Sequence, residues 1–70
     1  MSQVVASMAG NVWKVLVSQG DIVKEGQEVV ILESMKMEIP IAAETDGTIK
    51  EIKIQEGDFV NEGAVLIELE

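Results

Sequence analysis

The chain has 70 residues and a formal net charge of −8, with thirteen acidic side chains against five basic ones. Such a balance repels phosphate backbones and anionic lipid surfaces, making nucleic acid and membranes poor partners. With no cysteine and no histidine, the chain has no disulfide staple, no thiol chemistry and no His/Cys metal site.

Seventy residues make a single small domain, expected to span 1–70, whose one core supplies only about 3–5 kcal/mol. No apolar run approaches the roughly twenty residues that span a bilayer. The N-terminus lacks the basic-then-apolar pattern of a secretory signal. The expectation is a cytoplasmic, monomeric protein, and the starting Met1 and compact ends favour a complete gene product. The acidic residues are scattered through turns and strand ends, and none pairs a nucleophile with a base. The chain is therefore expected to be non-catalytic by itself, with Lys36 its one chemical centre.

In chain order, short Val/Ile/Leu-rich runs bounded by glycine turns predict strands over residues 2–6, 12–17, 29–33, 37–42, 49–54 and 65–69. Shorter extended pieces are predicted at 22–23 and 59–60. No segment is long enough and free enough of glycine to form a helix. Met8 and Trp13 are expected to pack rather than to serve a site.

Sliding the sequence against itself by 37 positions places residues 4–33 on residues 41–70 without a gap. Nine positions are identical, among them Gly10/Gly47, Gly20/Gly57, Asp21/Asp58, Gly26/Gly63 and Leu32/Leu69. Two copies imply a pseudo-twofold domain rather than a solenoid. The natural solution is two small antiparallel sheets packed face to face. Gly20-Asp21 and Gly57-Asp58 mark equivalent tight turns, where glycine reaches positive φ at little steric cost.

Only residues 34–40, Ser-Met-Lys-Met-Glu-Ile-Pro, lie between the two repeated frames. Symmetry places this junction opposite the gap between the termini, so Lys36 should top a hairpin at one end of the domain. The other lysines, Lys14, Lys24, Lys50 and Lys53, fall within the repeat and belong on solvated faces. The Met35-Lys36 tip breaks turn logic, because a two-residue hairpin loop wants positive φ and the segment offers no Gly, Asn or Asp. Such a violation is expected at a site of function or strain.

These residues resemble the biotinyl/lipoyl attachment domain family over nearly the whole chain. Glu33-Ser34-Met35-Lys36-Met37 is similar to the family's Glu-Ala-Met-Lys-Met biotinylation signature, with serine in place of alanine. Ala6-Ser7-Met8-Ala9-Gly10 resembles its first-strand Ala-Pro-Met-x-Gly pattern without the proline. Gly20-Asp21-x-Val23-x-x-Gly26-Gln27 and Gly57-Asp58-x-Val60-x-x-Gly63 resemble its two flanking turns.

The resemblance implies an all-β fold: a flattened eight-stranded β-sandwich (a barrel-sandwich hybrid) of two pseudo-twofold-related four-stranded sheets. It implies that a biotin protein ligase attaches biotin to Lys36, which then carries a carboxyl group between biotin carboxylase and carboxyltransferase sites. Glu33, Ser34, Met35 and Met37 are the expected ligase-recognition residues. Met35 and Met37 either tuck into the sandwich end or stand out as soft, adaptable contacts. Lipoylation of the same Lys36 is the nearest alternative, although lipoyl domains usually carry Asp-Lys-Ala at the tip. An unmodified adaptor is the alternative from another class, and it has no reason to keep Met-Lys-Met.

Overall fold

Strands form where β-branched and leucine residues alternate with polar ones, because one face of each run must find a dry partner. The computed structural model describes residues 2–70; Met1 lies outside the described residues. Its elements are β1 (Ser2–Val5), β2 (Gly10–Val15), β3 (Ile22–Val23), β4 (Glu28–Ser34), β5 (Met37–Ala42), β6 (Gly47–Ile52), β7 (Phe59–Val60) and β8 (Val65–Leu69). Two antiparallel four-stranded sheets result, in the orders β1-β8-β6-β3 and β5-β4-β2-β7. This is the expected all-β, flattened sandwich.

Each sheet takes two strands from each half of the chain. Adding 37 to a residue number turns β2 into β6 and β3 into β7, and so carries one sheet onto the other. The bonds between elements repeat as well: Ala6 N–H donates to Ala64 O at 2.9 Å and Ala43 N–H to Gln27 O at 2.9 Å. Of the fifteen buried apolar residues, only Val17 lacks a buried counterpart 37 positions away. Val12/Ile49, Val23/Val60, Val30/Ile67 and Leu32/Leu69 meet in that shared core, with no buried polar side chain among the described residues.

Four strands differ from expectation: β1 ends one residue early at Val5, β4 runs one residue longer at each end, and β2 and β6 shift by two. Strands predicted at 12–17 and 49–54 instead begin at Gly10 and Gly47 and end at Val15 and Ile52. At the front, the missing side chain permits close approach: a Cβ on Gly10 would sit 2.9 Å from the Glu33 carbonyl oxygen, and one on Gly47 3.1 Å from that of Glu70. At the rear, the chain turns into loops tied by their own aspartates. Ser18 N–H donates to Asp21 Oδ2 at 2.8 Å, and Gln55 N–H to Asp58 Oδ2 at 2.9 Å.

Trp13 is not the packing residue expected, being 42% exposed. A β-bulge explains this. Val12 pairs with Leu32 and Lys14 with Ile31, leaving Trp13 as the extra residue, turned outward beside Lys14. Met8, in the loop after β1, is likewise exposed.

Three of the four sheet edges are guarded. β3 and β7 are two residues long, and β5 carries Pro40, so none offers a long template for another strand. On the outer face of the first sheet, Lys53 Nζ lies 3.1 Å from Glu51 and 4.0 Å from Glu68. The hydrogen bond that Lys53 donates to Glu51, then the charges of Glu51 and Glu68, raise the Lys53 pKa above the ordinary lysine value. That contribution is complete below the unfolded-state pKa and is lost as pH climbs through the folded one. At such an exposed site it is a minor one.

Leu32 is fully buried. Leu32→Ala should cost about 2–5 kcal/mol, comparable to the total stability of a domain this small. Urea denaturation followed by circular dichroism should show the variant largely unfolded without denaturant.

Candidate functional site at the β4–β5 hairpin

β4 and β5 pair from Glu28↔Ala42 to Ser34↔Met37, which leaves Met35 and Lys36 as a two-residue loop. Their φ angles are 52° and 65°, so both occupy the left-handed region, as a type I′ turn demands. The strain foreseen from the sequence is therefore present, at about 1–2 kcal/mol for each residue with a Cβ. With Ser34 opposite Met37 the flanking ladder leaves a two-residue loop to close, and Met35 and Lys36 close it as type I′.

The turn lifts its side chains away from the body. Met35 is 91% exposed and Met37 63% exposed, so neither methionine tucks into the sandwich end. Lys36 is exposed, and among the described residues no ion pair or side-chain hydrogen bond engages its amine. Glu33 is also exposed and Ser34 half-buried. Glu33 pairs directly with Glu38, placing two carboxylates side by side below the tip.

Beneath the tip lies a residue that motif reading did not mark as part of the site. Gly10 is buried at the start of β2, where a Cβ would meet both the Glu33 carbonyl and, at 3.4 Å, the Ser34 Cβ. Its signal was its match to Gly47 in the repeat. This close approach seats the hairpin on the neighbouring strand.

β1 runs from the termini, where Ser2 pairs with Leu69, toward the short loop that delivers Gly10 beside Ser34. The hairpin and the termini therefore sit at opposite ends of a domain 31 Å long. A primary amine on an exposed tight turn, far from the chain ends, meets the one chemical need of covalent acylation: access. The chemistry available to the amine here is amide formation.

A family model described as "Biotin-requiring enzyme" matches residues 1–69. The chain belongs to this biotin/lipoyl attachment family. It is 65% identical over 62 residues to the biotin/lipoyl attachment protein of Bacillus subtilis (strain 168), an alignment covering 89% of this chain and 85% of that protein.

Among solved structures, the urea carboxylase of Kluyveromyces lactis matches with a TM-score of 0.88 and 30% identity, covering 94% of this chain but 6% of that one. The lipoyl domain of the 2-oxoglutarate dehydrogenase complex from Azotobacter vinelandii matches with a TM-score of 0.73 and 35% identity, covering 89% of this chain and 78% of that one. The chain is thus similar in extent to an attachment protein, and to a small part of a much longer carboxylase chain.

Replacing Met35→Asn and Lys36→Gly together supplies the residues a type I′ turn prefers. The double variant should be more stable than the wild type by about 1 kcal/mol, read as a raised urea midpoint.

Proposed function

We propose that the chain is a non-catalytic biotinyl carrier, acylated on Lys36 by a biotin protein ligase and serving a biotin-dependent carboxylase in the cytoplasm. The observation that carries this reading is the exposed amine between two exposed methionines on a strained two-residue turn. Strain of this kind, at a tip with no packing role, has its best explanation in presentation of the lysine.

A lysine amine is protonated near neutral pH in all but about one molecule in a thousand. The ligase must therefore bring an activated acyl donor and take up protons. The amide bond forms between Lys36 Nζ and the biotin carboxyl carbon, with loss of the donor's leaving group and two protons from the ammonium. The product is one unit more acidic than the formal −8 of the free chain.

When attached, biotin supplies a ring that takes up and releases a carboxyl group, loaded at a biotin carboxylase and unloaded at a carboxyltransferase. This chain's contribution is placement. The paired β4–β5 ladder fixes the root of the arm, and Gly10 lets that ladder seat closely on β2. Tethering raises the effective concentration of the ring at both partner sites without any new contact.

A second reading, lipoylation of the same Lys36, is favoured by the fold match to a lipoyl domain and by the relative named for both cofactors. The Met-Lys-Met tip weighs toward biotin. Intact-mass measurement on protein from its native host separates the readings. Addition of one biotinyl group is expected on the wild type and none on Lys36→Arg; a lipoyl mass or an unmodified chain would overturn the biotinyl reading.

A further inference from the structure

The duplication supplies an internal control for most surface positions, because residues 4–33 of one copy and 41–70 of the other occupy matching places in the two sheets. On the outer face of the β3-β6-β8-β1 sheet several counterparts are charged, although Ile22, the counterpart of Phe59, is itself apolar and exposed. Lys50 stands where β2 has Trp13, Lys53 where the residue following β2 is Leu16, and Glu68 where β4 has Ile31. The bulges match too: the register of β6 shifts between Ile49 and Glu51 as that of β2 shifts between Val12 and Lys14. The fold therefore accepts lysine at the positions Trp13 and Leu16 occupy on the β5-β4-β2-β7 face, and their apolar character is not a folding requirement.

That face is exposed nonetheless. Trp13, Leu16 and Phe59 are all open to solvent, Phe59 at 63%. Lys14 Nζ sits 5.6 Å from the centroid of the Trp13 ring. The face is also continuous with the hairpin. Glu38 pairs with Glu33, Glu33 with Asn11, and Asn11 with Phe59, forming one exposed cross-strand row immediately below the turn. With strands spaced about 4.8 Å apart, Phe59 lies about 10 Å across the sheet from Glu33. Trp13 sits one row further from the tip.

We propose that this Trp13–Leu16–Phe59 face is the surface by which the enzyme that acylates Lys36 holds the domain, meeting a partner with an apolar centre and a basic rim. The inference rests on the carrier reading above. Acylation requires the Lys36 amine itself to reach bonding distance of the donor, so the ligase must enclose the tip and abut the rows just below it. Enzymes that use the attached ring meet it at the end of a long arm and have no such need. The opposed Glu33 and Glu38 carboxylates repel each other in the free domain, and basic groups on the ligase would relieve that repulsion. Exposed aromatic residues in contact with a polar rim are the composition of binding hot spots.

The test measures initial rates of biotin transfer by the host's biotin protein ligase to the full, unmodified chain at varied carrier concentration. Trp13→Lys and Phe59→Ser should each raise KM by about tenfold or more with kcat little changed, the pattern of lost binding. Ile22→Ser, at the counterpart of Phe59 on the other sheet, should match the wild type. Trp13 is the only tryptophan, so 5-fluorotryptophan incorporated into the wild type gives a second readout that does not depend on a variant folding. Its ¹⁹F resonance should shift or broaden when ligase is added. An unchanged resonance, or wild-type KM in both folded variants, overturns the docking face while leaving the carrier reading intact. Failure of the ligase to label wild-type Lys36 overturns the carrier reading, and the docking face falls with it.

Discussion

Neither half of this chain can bury its own apolar face, because each contributes only two strands to each sheet. Val12 and Ile49, or Leu32 and Leu69, become dry only when both halves are present and interlocked. This mutual dependence gives a 70-residue chain without cysteine one continuous core. It also makes folding all-or-none and most contacts long-range in sequence, since hairpins account for little of the pairing beyond β4–β5.

The exception is what matters for function. β4 and β5 form the one long local hairpin, and its loop is the junction that the duplication leaves unrepeated. The well-paired ladder on either side holds Met35 and Lys36 in the left-handed region, where neither residue would settle by itself. A flexible loop would also expose a lysine, but it would let the amine wander. Here the root of the arm is fixed and only the side chain beyond it is free.

The two sheets share a backbone plan yet differ in what they show to solvent. One outer face pairs its charges internally, Lys53 with Glu51 and Glu68. The other leaves an indole, a leucine and a phenyl ring in water beside two adjacent carboxylates. A repeat constrains the core equally in both copies, so divergence collects on the surface. The divergence here lies on the face that adjoins the hairpin.

Much of this was readable in the residues alone. The 37-residue repeat, the glycine-aspartate turns, the all-β class and the singular position of Lys36 follow from spacing and chain symmetry, which need no coordinates. The strained turn was also foreseeable, because Ser34-Met35-Lys36-Met37 contains no residue that favours positive φ. Three things required the tertiary structure. Strand exchange between the halves depends on long-range pairing, to which local periodicity is blind. The shift of β2 and β6 toward Gly10 and Gly47 depends on how near a neighbouring carbonyl lies. The outward turn of Trp13 depends on a bulge, which inverts the alternation that a sequence pattern assumes; a hydrophobic residue in a strand reads as core until its register is known.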